Sequence, residues 1–186
     1  GIPAEPLFRS ANYTMVIYAM EGHGTGKMIE LFGTDKQKAL FLKKLYTGQW
    51  GGTMDLTEPE AGSDVGALTT SARRLDDGTY AITGNKIYIT NGGCEIHLVL
   101  ARHAATFDQS QGTTKGLSLY LTPRTLPSGE KNGVTVARLE EKLGIHGSPT
   151  AAIHFDHAEG LGIAGCENGC WRLFQVQQTM GRQPGL

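Results

Sequence analysis

Thr53-Met-Asp-Leu-Thr-Glu-Pro-Glu-Ala-Gly-Ser-Asp64 and Gly84-Asn-Lys-Ile-Tyr-Ile-Thr-Asn-Gly92 are the two stretches that decide how this chain is read. Alone, the first is a loop. The residue before Pro59 is pushed to extended backbone, and Ala-Gly-Ser-Asp is ordinary turn chemistry. The second is a short β-type run, Lys86–Thr90, closed by the turn signal Asn91-Gly92-Gly93. The chain changes its hydrophobic period at this point, from helical to strand-like.

Upstream, residues 1–50 read as helical. Ala11–Met20 is a run of apolar and small residues that resumes, after a Gly-rich interruption, at Met28–Phe32. Thr34 or Asp35 can cap a second helix, Lys36–Tyr46, with Gly48 as its stop. Ala39, Leu40, Leu42 and Leu45, with Phe41 beside them, suit a packed face, and Lys36, Lys38, Lys43 and Lys44 a wet one. Downstream, β-like runs appear at Leu68–Leu75, Lys86–Thr90, His97–Arg102, Leu117–Thr122, Val134–Leu139 and Ala151–Phe155. Six strands without intervening helices predict an antiparallel sandwich or barrel. Leu117–Leu121 alternates, which predicts one buried and one partly exposed face. After Gly165 the pattern is helical again over Glu167–Met180, until Pro184-Gly185. The expected class is α+β: a central antiparallel β-sandwich or barrel-like domain at 50–160, flanked by helices at 1–49 and 161–186.

The bulk numbers suit a globular chain. Of 186 residues, 39% are hydrophobic and 19% charged, so disorder is not expected. A net charge of −1 offers no basic field for nucleic acid or anionic membrane. No apolar run approaches the ~20 residues that span a bilayer. Three cysteines, Cys94, Cys166 and Cys170, read as reduced thiols, hence the cytoplasm, or the mitochondrial matrix in a eukaryote. Asn12-Tyr13-Thr14 is a chance glycosylation match without a secretory context. The Gly-Ile-Pro start, without an initiator Met, leads us to expect cut ends.

Most motif candidates fall away on inspection. Gly22-His-Gly-Thr-Gly-Lys27 lacks the first glycine and the final Ser/Thr of a phosphate loop, and no strand precedes it. It reads as a flexible or kinked helical junction. His154-x-x-His157 falls at a strand end, where an odd spacing turns the side chains to opposite faces. No metal set and no hydrolase elbow is present. The two opening stretches, by contrast, offer what a flavin needs. Backbone N–H groups at Leu56-Thr57 can serve its pyrimidine edge. A threonine hydroxyl, of which the two stretches offer Thr57 and Thr90, can switch between donor and acceptor at N5. Tyr88 can cover a flat ring, and Gly62-Ser63 can approach a pyrophosphate.

Leu-Thr-Glu-Pro-x-Ala-Gly-Ser-Asp followed by Gly-x-Lys-x-x-Ile-Thr-Asn-Gly resembles the acyl-CoA dehydrogenase family. Leu31-Phe32-Gly33-Thr34, Leu98–Arg102, Lys115–Ser118 and Glu141–Thr150 add matches in the same order. The resemblance covers roughly residues 30–182 and is closer to the larger bacterial members. It implies FAD as cofactor, an acyl-CoA substrate, α,β-desaturation with hydride transfer to N5, and an electron-transfer flavoprotein as acceptor. It also implies a homo-oligomer when full length. By the same resemblance Met54, Leu56, Thr57, Gly62, Ser63, Tyr88, Ile89 and Thr90 line the flavin. Thr57 sits at the pyrimidine edge, Ser63 near the pyrophosphate and the CoA arm, Tyr88 on the ring face away from substrate, and Thr90 at N5. Met54 stands where many members carry an aromatic residue. No residue matches the family's catalytic glutamate: Gly181 precedes Arg182. Glu58 and Glu140 belong to β-domain motifs and are not promoted. The isolated chain is therefore expected to be inactive. An acyl-CoA oxidase or flavin monooxygenase of the same fold, and a non-catalytic binding module, are the alternatives.

Overall fold

The computed structural model describes residues 13–163. Asn12, Cys166, Cys170 and the helix expected at Glu167–Met180 lie outside the described residues.

The described residues begin with helix α1, Tyr13–Phe32, which runs unbroken through Gly22–Lys27. The expected interruption is absent, because these glycines serve close packing rather than a kink. A Cβ on Gly22 would lie 3.7 Å from the Gly52 nitrogen, and one on Gly26 2.7 Å from the Tyr46 ring. Glycine costs about 1 kcal/mol in a helix interior, and at Gly26 the close packing of the Tyr46 ring from the next helix offsets it.

Helix α2, Asp35–Tyr46, begins with a full capping box. The Thr34 hydroxyl accepts from Gln37 N at 3.2 Å, and Gln37 Oε1 accepts from Thr34 N at 2.8 Å. Its buried face is Gln37, Phe41 and Leu45, one residue per turn. Ala39 and Leu40, expected in the packed face, are exposed. Gln37 wins the inner position because its amide donates to the Gly162 carbonyl at 2.9 Å.

Seven strands follow: β1 Gly52–Asp55, β2 Ser71–Arg74, β3 Tyr80–Ile89, β4 Ile96–His103, β5 Leu117–Pro123, β6 Val134–Leu139 and β7 Ala151–Gly162. A 3-10 turn, Val65–Ala67, and a short helix α3, Phe107–Ser110, lie in the connections. Most pairings are antiparallel, and β1 and β2 run parallel to β4. The first four residues of the supposed loop are thus mostly strand, since β4 supplies a partner no local pattern reveals. β4 pairs β2, β2 pairs β3, β3 pairs β7, β7 meets β5 and β5 returns to β4, which closes the sheet into a barrel.

Closure explains a further departure. All seven residues of β5 are buried, where one face was expected to be partly exposed. Leu117, Leu119 and Leu121 join Ile96, Leu98 and Leu100 under Met28, Ile29, Phe41 and Leu45 of the helices. Tyr120 faces the barrel interior with Val99, Ile153 and Phe155. His154 and His157 are both exposed, and left-handed backbone at His157, φ 49°, breaks the strand's alternation.

Candidate functional site

The two opening stretches of sequence meet. Ile87 N donates to the Thr57 carbonyl at 2.9 Å. Lys86 Nζ donates to the Leu56 carbonyl at 2.9 Å and to Glu58 Oε1 at 2.8 Å. The Lys86–Glu58 pair is buried, at 0% and 3% exposure. Glu58 also accepts from Thr69 N, the Thr69 hydroxyl and Thr70 N, at 2.7 to 3.0 Å. Burial alone would raise its pKa. The Lys86 charge and these donors outweigh that and bring it down to about 2. Glu58 is therefore an ionised structural anchor, which explains why the two stretches occur as a pair. A tight turn follows, with Glu58 and Ala61 bonded both ways.

Beside this anchor lies a cleft of about 130 Å³, lined by Glu21, Thr53, Met54, Leu56, Thr57, Tyr88, Ile89 and Thr90. Six of the eight residues singled out from sequence converge there. Gly62 and Ser63 do not line it: they are exposed, beyond the Glu58–Ala61 turn. Asp64 caps the 3-10 turn after them, accepting from Gly66 N at 2.9 Å.

Tyr88 shapes the cleft. The β3–β7 register shifts between Lys86 and Ile89, and Tyr88 takes a left-handed backbone, φ 58°. That conformation is unfavourable for a bulky side chain, by about 1–2 kcal/mol. The bulge leaves Tyr88 62% exposed beside Met54 and Thr57 rather than packed in the barrel. The Thr53 hydroxyl, donating to the Thr90 carbonyl, ties the two walls together at their other end.

Sequence reasoning missed two participants. Glu21 reaches the cleft from α1, and burial raises its pKa. Only the tertiary contact of α1 with β1 brings it there. Asp55, between Met54 and Leu56, turns into the barrel, where its Oδ2 lies 2.8 Å from His97 Nδ1. Cys94 is a buried free thiol, and burial pushes its pKa up.

The donor set suits the edge of a flat, polar ring: three threonines, a strand corner and an exposed aromatic. The cleft is smaller than the roughly 300–1,000 Å³ of an enclosing ligand pocket. It forms a wall. Among the described residues no helix is long and apolar enough to cross a membrane.

Comparison with known proteins gives a consistent picture. The sequence model described as the acyl-CoA dehydrogenase middle domain matches residues 53–158. A 3-methylmercaptopropionyl-CoA dehydrogenase of Ruegeria pomeroyi is 39% identical over 98% of this chain, which covers 32% of that protein. An acyl-CoA dehydrogenase of Bacillus subtilis is 36% identical over 98% of the chain, covering 51% of that protein. Among solved structures, Megasphaera elsdenii butyryl-CoA dehydrogenase superposes with a TM-score of 0.68 at 34% identity, over 83% of this chain and 38% of that one. Caenorhabditis elegans ACDH-11, solved in complex with C11-CoA, gives 0.80 at 26% identity, over 94% and 31%. The chain thus spans between about a third and a half of the length of these relatives.

Proposed function

Because the chain belongs to the acyl-CoA dehydrogenase family, we propose that it is the middle part of a FAD-dependent acyl-CoA dehydrogenase and carries one wall of the flavin site. The proposed division is an end of an N-terminal helical domain at 1–49, a β-domain at 50–160 and the start of a C-terminal helical bundle at 161–186. The observation that carries the reading is the convergence of Met54, Leu56, Thr57, Tyr88, Ile89 and Thr90 on one cleft.

When bound, FAD would supply the hydride acceptor for desaturation of the acyl thioester. The chain's own residues would hold and shape that group. Thr57, just past β1, would hydrogen-bond the pyrimidine edge. The Thr90 hydroxyl, able to donate or accept, would follow N5 through its change of protonation. The Tyr88 ring, set outward by its bulge, would cover one ring face and exclude water. Gly62 and Ser63, on the exposed turn, would approach the pyrophosphate and the CoA arm. Glu21 would close the cleft at its α1 side. No described residue is assigned as the catalytic base: Glu58 is held by Lys86 and three donors. The proposed acceptor is an electron-transfer flavoprotein, and the proposed assembly a homo-oligomer.

The test is anaerobic titration of the purified full-length protein with acyl-CoA thioesters. Bleaching of a bound flavin is the expected result, and a flavin-free protein that no FAD reconstitutes overturns the reading. Oxygen consumption without an external acceptor would favour an acyl-CoA oxidase instead. Thr90→Val should slow flavin reduction in stopped flow, and an unchanged rate removes Thr90 from N5. The 186-residue chain alone should bind FAD weakly, and a stoichiometric yellow chain would refute the one-wall assignment.

A further inference from the structure

Behind the wall lies a buried polar pair that the cleft residues do not explain. Asp55 and His97 are both 0% exposed, with Oδ2 and Nδ1 2.8 Å apart. Asp55 Oδ1 and His97 Nε2 have no further protein partner among the described residues. Around them stand the Phe155 ring, edge-on to His97 with centroids 6.0 Å apart, and Thr122, opposite His97 in the β4–β5 register. The Asp55 charge also reaches the buried Lys86 ammonium, which pairs with Glu58. A polar pair this deep costs free energy unless its atoms are hydrogen-bonded, and here one carboxylate oxygen and one ring nitrogen are not.

Its place in the strand points to the site. Met54 and Leu56, on either side of Asp55, line the cleft, and Thr57 follows. Asp55 therefore belongs to the backbone segment that lines the cleft, while its own carboxylate is fully buried. Resting on the flavin reading above, we propose that Asp55, oriented by a proton that His97 donates from Nδ1, is a positioning residue that sets the electrostatics of this wall. A carboxylate oxygen only accepts, so the Nδ1 of His97 carries the proton. Reduction of a bound flavin would place negative charge at its pyrimidine edge, and a buried carboxylate in this wall would oppose that charge. Asp55 thus holds the bound flavin less easily reduced than a neutral wall would.

The test uses Asp55→Asn, His97→Gln and His97→Phe in the full-length protein. Asp55→Asn keeps an oxygen for His97 and removes the charge. It should shift the equilibrium of bound flavin toward the reduced form by about tenfold, about 30 mV for a two-electron couple. His97→Gln retains an N–H donor and should keep the wild-type potential. His97→Phe should lower the melting temperature. An unchanged potential in a flavin-loaded Asp55→Asn protein overturns the proposal, since a merely structural pair would move stability alone. A second readout needs no flavin. Long-range 1H–15N spectra of the flavin-free protein should place the His97 proton on Nδ1, and a proton on Nε2 alone overturns the pairing. Failure of the flavin reading is recognised separately, by a wild-type protein that takes up no FAD.

Discussion

Glu58 and Tyr88 show two ways in which single residues build the site, one through charge and one through backbone strain. Glu58→Gln leaves the Lys86 ammonium buried without its anion and should cost about 3–5 kcal/mol in urea unfolding. The same pair gives a pH signature. The Glu58 pKa falls from 4.5 to about 2 on folding. Its contribution is therefore complete above about pH 4.5 and is lost as the pH falls toward 2. Melting temperatures measured between pH 2 and 6 should fall more steeply in the wild type than in Glu58→Gln. Tyr88 carries the opposite balance. Tyr88→Gly removes the left-handed strain and adds unfolded-state entropy, so stability should stay within about 1 kcal/mol. FAD affinity of the full-length protein should drop. A large loss of stability would show that Tyr88 is a packing residue.

At the scale of elements, the contact between α1 and β1 brings Glu21 to the cleft. A Cβ at Gly52 would collide with the buried Thr25 side chain of α1. Gly52→Ala must push the helix off the strand and should destabilise by about 1–3 kcal/mol, read by urea unfolding. Helix α2 is set by its own ends and by one polar contact. Its Thr34–Gln37 capping box stands in the sequence, because a cap is a matter of neighbouring residues. Its buried face does not, because a distant carbonyl, Gly162 O, draws the polar Gln37 inward.

For the whole molecule, the buried Arg102 joins distant loops. Its guanidinium donates to the carbonyls of Gly66, Leu68, Ser110, Thr113 and Lys115, at 2.6 to 3.3 Å. This fixes the turn after Gly62-Ser63 against the α3 loop. Arg102→Met should cost at least about 3 kcal/mol, since it strips donors from several carbonyls at once, and denaturant midpoints will measure it. Arg102→Lys should recover little of this, because an ammonium cannot span the fork of a guanidinium.

Within the described residues, the sequence by itself determined that helices precede strands, most strand positions, the α+β class and six of the residues that line the cleft. These follow from hydrophobic period, turn chemistry and motif resemblance, all of which act over a few neighbouring residues. The tertiary structure alone decided that β1 is a strand, since its partner β4 begins at Ile96, more than forty positions away. It decided that α1 is continuous, because packing against β1 and Tyr46 outweighs the cost of glycine. It decided that both faces of β5 are buried, because the sheet closes. It also decided that Glu21 joins the cleft while Gly62 and Ser63 stand outside it. Each of these outcomes depends on contacts between segments distant in the chain, and local residue patterns carry no record of such contacts.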